Sequence, residues 1–320
     1  MSSNIPHIPP PALGNAETLE FVHQESILDY FRAKIKSGLF RVLTKKSLTL
    51  FLKGRDRLSV YPQAVGIHES TITGLIDHLS AVGYSDFLID IGANIGLTSC
   101  QNGNSFKLVH MFEPNPYCCK ILEVNSAIAL ESTEYHIHNC GLGDEDKESL
   151  LSVPRNNWGG AFIRDKTNSY DDGVLASKDE YRSLIDSNYL TVSVEIRKTS
   201  VALSKLFKSL LDRGLSCGVV KIDVEGYEPA ILRGISESIP SQIKLFIVFE
   251  SWNPNCDMKT IVESFEGRAT PYKFVREVPW KRTWPKALKA VALLINPRII
   301  HRVVTNNSHD WRGDIVLQII

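Results

Sequence analysis

The chain has no cysteine pair at C-x-x-C spacing, although it carries six cysteines, and no His and Cys residues cluster at zinc-ligand spacing. A zinc ribbon and a thioredoxin-like redox pair are thereby excluded. The scattered thiols, with Cys118 and Cys119 adjacent, fit a reducing compartment. Net charge is absent too, because 36 Lys and Arg balance 36 Asp and Glu. That removes the global electrostatic argument for a nucleic-acid partner, and none is expected. No apolar run approaches the ~18 residues of a membrane-crossing helix. The N-terminus lacks the basic-then-apolar order of a secretory signal, so a cytoplasmic location is the expectation. No metal is expected either. His136 and His138 flank Ile137 and would share one sheet face, where satisfied structural histidines are the simpler reading.

What is present is an ordinary globular composition, 43% hydrophobic over 320 residues, enough for a sizeable core. Residues 1–17 hold Pro6 and the run Pro9-Pro10-Pro11 and read as an extended, mobile tail. Residues 18–80 read as an α+β extension. Phe21, Ile27, Leu28, Phe31 and Ile35 have helical spacing, Leu48, Leu50 and Leu52 alternate as in a strand, and Ile72, Leu75, Ile76 and Leu79 share one helix face. From 81 to 320 a main domain is expected. Strand-like runs lie at 87–91, 108–112, 135–139, 191–196, 219–224 and 245–249, with weaker ones near Phe274 and Ile315, and helical spacing falls between several of them. Strands alternating with helices favour an α/β fold with a mainly parallel sheet covered on both faces. A polar stretch, 144–190, interrupts the rhythm. Within it Asn157, Trp158 and Gly160 form either one wall of an acceptor site or a plain surface loop.

The most informative segment is Asp90-Ile91-Gly92-Ala93-Asn94-Ile95-Gly96, at the end of the first strong strand. Open α/β sheets bind ligands at the carboxyl ends of their strands, and a ligand approaches backbone closely where no Cβ intervenes. The spacing lacks the G-x-G-x-x-G order of a pyrophosphate site, and the Asp90 carboxylate would repel a phosphate. A nucleoside without phosphates, one carrying positive charge, suits it better. Glu113 ends the next strand roughly 20 positions after the turn, where an acid accepts hydrogen bonds from ribose hydroxyls.

Three segments in this order, Ile89–Gly96, Phe112-Glu113-Pro114-Asn115 and Lys221-Ile222-Asp223-Val224-Glu225-Gly226-Tyr227-Glu228, resemble the FkbM family of S-adenosylmethionine-dependent methyltransferases. The resemblance spans roughly residues 65 to 250. It implies a Rossmann-like, seven-stranded methyltransferase sheet and S-adenosylmethionine as cofactor. Asp90, Gly92, Asn94 and Gly96 would match the cofactor loop and Glu113 the ribose acid, with Asn139 and Gly141 near the adenine. One departure stands out: the Leu-Asp pair usual before the third segment has no counterpart in Thr199–Ser204.

A hydroxyl acceptor needs a base near the donor methyl, a contribution of about 10²–10⁴-fold. Lys221, Asp223 and Glu225 alternate onto one side of their strand and are the catalytic candidates, with Asp223 first as base and Glu225 second. Glu228 and Glu250 stand close by in sequence pattern, and an internal ion pair that fixes the strand end is the plain alternative. The leading expectation is an O-methyltransferase acting on a sugar hydroxyl of a surface polysaccharide or glycoconjugate. The alternatives are a lipid-linked or polyketide-like alcohol as acceptor, and a non-catalytic nucleoside-binding scaffold of a glycan assembly complex. The segment 280–308 is basic, carrying Lys281, Arg282, Lys286, Lys289, Arg298 and Arg302 without an acid until Asp310. Its apolar spacing reads as an amphipathic element, either a peripheral contact to an anionic membrane face or a cover helix with a solvated basic side.

Overall fold

A strand that is apolar along its whole length must be covered on both faces, and Phe87–Ile91 meets that condition with all five residues buried. The computed structural model describes residues 19, 21–26, 31–32, 34–36, 38–39, 42, 68–178, 184–252, 257–278, 283–285, 288, 298–305 and 311–320. In chain order the described elements are β1 (Val22–Ser26), α1 (Ser70–Ala81), β2 (Phe87–Ile91), α2 (Leu97–Asn102), β3 (Leu108–Phe112), α3 (Pro116–Ala129), β4 (Glu134–His138), β5 (Gly141–Gly143), β6 (Lys147–Pro154) and β7 (Phe162–Ile163). They continue with α4 (Asp172–Lys178), β8 (Tyr189–Lys198), α5 (Thr199–Asp212), β9 (Cys217–Ile222), α6 (Glu228–Ser238), β10 (Lys244–Ser251), α7 (Met258–Ser264), β11 (Ala269–Glu277), β12 (Arg298–Thr305) and β13 (Gly313–Ile319).

The main sheet runs β1-β12-β11-β13-β10-β9-β2-β3-β4. Its site-bearing part, β4-β3-β2-β9-β10, is parallel throughout. Beyond β10 the pairing turns antiparallel, with β13 inserted between β10 and β11. The α/β, Rossmann-like methyltransferase sheet is therefore present, with nine strands in place of the expected seven. The two additional strands are β12 and β1, which extend the antiparallel edge.

Alternate residues of each central strand feed two cores. Phe87, Ile89 and Ile91 pack with Leu203, Phe207 and Leu210 of α5, Ile231 and Ile235 of α6 and Ile261 of α7. Leu88 packs on the opposite face with Leu75, Ile76 and Leu79 of α1 and with Val109 and Met111 of β3. The apolar stripe expected on α1 is thus the stripe that is buried.

Three expectations change. Residues 22–26 form a strand paired with β12, although Phe21 was placed in a helical pattern; Phe21 itself is buried in the α1-side core. The basic segment 280–308 contains a strand, β12, whose Arg302 sits in the sheet and pairs with Glu277 at 3.1 Å. The amphipathic reading therefore fails for 298–305, while most of 280–297, like Leu48–Leu52, lies outside the described residues. The polar stretch 144–190 contains β6, β7 and α4. β6 and β7 join β5 and β8 in a second sheet, ordered β5-β8-β6-β7. Its two longer strands bury mainly one face: Leu151 and Val153 of β6, and Val194 and Ile196 of β8, alternate with more exposed positions.

Candidate active site

The turn after β2 is built around backbone that only glycine adopts easily. Gly92 has φ +84°, and a Cβ there would stand 2.0 Å from the Asp223 carbonyl oxygen. Gly96 has φ +89°, and its Cβ would meet Leu122 Cδ1 at 2.6 Å. Asn94 takes the left-handed conformation between them, φ +52°, which Asn tolerates better than most residues. The turn hangs on β3, since Gly92 N and Ala93 N both donate to the Phe112 carbonyl. It also meets the loop after β9, where Asp223 N donates to the Ile91 carbonyl at 2.9 Å.

Glu113 follows β3 and is buried. Its Oε2 accepts from Asn94 N at 2.8 Å and its Oε1 from Asn115 N at 2.7 Å. Asn115 is the N-cap of α3, its Oδ1 accepting from Tyr117 N, and Pro116 follows at the first helical position, where no N–H is needed. The sequence Glu113-Pro114-Asn115-Pro116 thus starts a helix and fixes a carboxylate at once. Burial pushes the Glu113 carboxyl up to about 7 against those two backbone donors, with Asp90 and Asp223 adding to the rise. Asn139 Nδ2 donates to the carbonyls of Glu113 and Pro114, at 2.9 and 3.2 Å, and so staples the same loop.

On the α1 side of the sheet Asp90 and Lys221 are register neighbours on β2 and β9. Ser99 Oγ donates to Asp90 Oδ2 at 2.7 Å, whereas Asp90 Oδ1 and Asn94 Oδ1 are buried with no hydrogen-bond partner among the described residues. Burial raises the Asp90 carboxyl, and Lys221 pulls the other way. Lys221 Nζ stands 2.9 Å from Asp223 Oδ2. Burial works against its ammonium, but Asp223, Asp90 and Glu69 outweigh it and hold the pKa above the ordinary lysine value. Glu250 at the end of β10 faces Asp314 in register. Burial, then Glu250, Glu69 and Asp223, push Asp314 up to about 7.

On the other side, an open cleft with about 660 Å³ of unfilled space lies at the carboxyl ends of β2, β3 and β9. Gly92, Asn94, Glu113 and Gly141 line it together with Asp223, Glu225 and Tyr227. Its roof comes from the second sheet and the segment before β7, through Leu151, Trp158, Gly159, Phe162 and Ile163.

A description of the methyltransferase FkbM domain matches residues 90–268, more than half of the chain. The chain belongs to the FkbM methyltransferase family. This FkbM protein is 27% identical over 210 residues to Methyltransferase sdnD of Sordaria araneosa, covering 62% of this chain and 81% of that protein. It is 27% identical over 188 residues to Methyltransferase 1 of Beauveria bassiana, covering 56% and 70%. A crystal structure of methyltransferase FkbM from Methylobacillus flagellatus aligns at 13% identity and a TM-score of 0.35, over 87% of this chain and 62% of that one. Family membership makes the FkbM protein an S-adenosylmethionine-dependent methyltransferase.

The structure brings most of the predicted residues of the FkbM site together. Gly92, Asn94, Glu113, Gly141, Asp223 and Glu225 line one cleft, and Asp90, Gly96, Asn139 and Lys221 support its walls from behind. β9 ends at Ile222, so Asp223 and Glu225 both lie in the following loop, where strand alternation no longer orders them; both line the cleft. Of the proposed acceptor wall, Trp158 lines the cleft and Asn157 and Gly160 do not. His136 and His138 do share a face and stack with His110, at centroid distances of 5.0 and 5.4 Å from it. Burial, then His138 and His136, hold His110 down at about 3. Sequence reasoning missed Tyr227, Asn168 and Asp314. Asp314 carried a signal, an acid directly before the apolar run Ile315-Val316-Leu317; Asn168 carried none.

Proposed function

We propose that this FkbM protein transfers the methyl group of S-adenosylmethionine to a sugar hydroxyl, in a surface polysaccharide or related glycoconjugate. The observation that carries the reading is that Asn94 and Glu113 share one cleft with Asp223 and Glu225. The residues fit a charged nucleoside. Glu113 retains lone pairs for ribose hydroxyls, Gly92 leaves the backbone bare, and the buried Asp90 Oδ1 and Asn94 Oδ1 lack hydrogen-bond partners among the described residues. Asp90, Gly92, Asn94 and Gly96 would hold the amino-acid end, Glu113 the ribose, and Gly141 beside Pro114 the base, with Asn139 fixing that loop. The bound donor supplies an electrophilic methyl on a sulfonium.

Asp223 takes the proton of the acceptor hydroxyl, Lys221 holds Asp223 in place, and Glu225 is the second acid within reach of the cleft. Carboxylates accept several hydrogen bonds each, which supports an acceptor rich in hydroxyls. A second reading, a lipid-linked or polyketide-like alcohol, is favoured by the apolar part of the cleft at Leu142, Leu151, Phe162, Ile163 and Ile196. The test is transfer of labelled methyl from S-adenosylmethionine to alkyl and aryl glycosides and, separately, to long-chain alcohols. Label on the glycosides, lost in Asp223→Asn with donor affinity kept, is expected. Label on the long-chain alcohols alone overturns the sugar assignment. Donor binding without transfer to either leaves a nucleoside-binding scaffold.

A further inference from the structure

The segment between β7 and α4 is tied to the loop after β9 at one residue. Asn168 Nδ2 donates to the Glu225 carbonyl and to the Ile163 carbonyl, both at 2.8 Å, while its Oδ1 accepts from Tyr170 N at 2.9 Å. Both N–H donors of the amide and one of the two lone pairs on its oxygen are used. Beside it Ser169 N donates to the Gly226 carbonyl at 2.9 Å. Gly226 has φ +92°, and a Cβ there would stand 1.9 Å from Asn168 Oδ1, so the loop accepts the amide only because residue 226 is glycine. On either side Tyr227 Oη donates to Asp165 Oδ2, and Tyr170 Oη donates to Glu228 Oε1 and accepts from Trp252 N, at 3.3 and 3.2 Å. The same strand and strap that carry Phe162 and Ile163 in the roof therefore clamp the loop that carries Glu225. The turn that faces Glu113 has its own anchor on the Phe112 carbonyl and meets this loop at its first residue, Asp223.

We infer that Asn168 is a positioning residue for methyl transfer, fixing the Glu225–Tyr227 loop against the roof of the cleft, while the donor turn keeps its own anchor on β3. The inference rests on the methyltransferase reading of that cleft. Asn168→Asp keeps the shape and removes both N–H donors, which turns a carboxylate toward two carbonyl oxygens. A misplacement of the acids of about 1 Å is enough to slow transfer about 10- to 100-fold.

The test uses full-length protein with 4-nitrophenyl β-D-glucopyranoside as acceptor and labelled S-adenosylmethionine as donor. Segment-resolved amide hydrogen exchange and S-adenosylhomocysteine binding are measured on the same samples. In Asn168→Asp, kcat is expected to fall about 10- to 100-fold with the donor KM within about threefold. Exchange at 223–227 and 163–170 should rise about tenfold, with 87–91 and 217–222 unchanged. Gly226→Ala should reproduce the effect, and the double variant with Asn168→Ala should cost less than the sum of the two. Wild-type kcat and wild-type exchange at 223–227 in Asn168→Asp overturn the inference. So does a loss shared equally by kcat, donor affinity and the exchange protection of 87–91, which makes Asn168 a general prop of the fold. If the wild type binds S-adenosylhomocysteine and leaves this glucoside unmethylated, the sugar assignment suffers and the exchange result alone decides on the strap. If it binds no S-adenosylhomocysteine, the donor-site reading falls.

Discussion

Glu113 is a carboxyl whose protonation should be visible in donor affinity. It is buried, and its pKa lies at about 7 because burial outweighs the donors Asn115 N and Asn94 N, with the anions Asp90 and Asp223 adding to the rise. Ribose hydroxyls bind best to the ionised form, because a carboxylate accepts from both oxygens and a carboxylic acid offers a competing proton. If only the ionised form binds, the apparent Kd scales as one plus ten raised to (pKa − pH). Affinity for S-adenosylhomocysteine at pH 6 should then be about tenfold below its plateau above pH 8, a difference of about 1.4 kcal/mol. At pH 7 binding should release about half a proton, read by calorimetry in buffers of different ionisation enthalpy. Asp314 titrates in the same window, so the control is Glu113→Gln, which should bind more weakly and lose the pH slope. Folding carries the opposite sign. The folded pKa lies above the ordinary value of 4.5, so this group's contribution to stability is full below about pH 4.5 and is lost as pH rises through about 7. The apo protein should therefore lose melting temperature from pH 5 to 8 by more than Glu113→Gln does. Wild-type affinity that is flat from pH 6 to 8, or an equal slope in the Gln variant, refutes the assignment of Glu113 to the ribose.

Other expectations follow from the same geometry. Gly92→Ala must push the turn away from the Asp223 carbonyl, and donor affinity by calorimetry should drop by at least about 100-fold, since the strained φ and the 2.0 Å contact cannot both be relieved locally. A variant that binds normally would show that the donor does not sit on this turn. Lys221→Met leaves Asp90 buried beside Asp223 without its cation and should cost about 3 kcal/mol in urea denaturation at pH 7, less at pH 5 where carboxyls take up protons. An unchanged urea midpoint would show the ion pair to be dispensable. Glu225→Gln should leave donor affinity intact and lower transfer by less than Asp223→Asn. The reverse order in transfer rates would make Glu225 the base.

The inner parallel strands β2, β3, β9 and β10 were legible because they are largely buried on both faces and so are written as apolar runs of strand length; β4, at the edge, has no buried residue. The donor side was legible for a related reason. Gly92 and Gly96 are fixed by a backbone conformation that favours glycine, and Glu113 sits just before the Asn115-Pro116 helix start, and these leave a local trace. β1 and the second sheet left little trace. β1 has polar residues at His23, Gln24 and Glu25 and owes its strand form to β12, which lies far away in the chain. The polar stretch hid its strands because β6 and β8 bury mainly one face, and β7, though buried, has only two residues.

The acceptor side is the harder part to read from sequence, and the reason is topological. Asp223 and Glu225 lie two apart in a chain that stops being a strand at Ile222, so the period-two rule loses its hold where the acids begin. What then orients them is contact with residues distant in sequence. Lys221 faces Asp90 across a strand pair, Asp314 faces Glu250 across another, and Asn168 reaches the Glu225 carbonyl from the other sheet. A donor recognised through local turns and an acceptor recognised through long-range clamps are separable physically. Substitutions in the strap at 163–170 should therefore alter which hydroxyl is methylated before they alter donor affinity, whereas substitutions at 94–96, away from the contact of Gly92 with Asp223, should do the reverse. Measuring donor affinity and acceptor preference across both sets tests that separation, and a single ranking of variants in the two assays would abolish it.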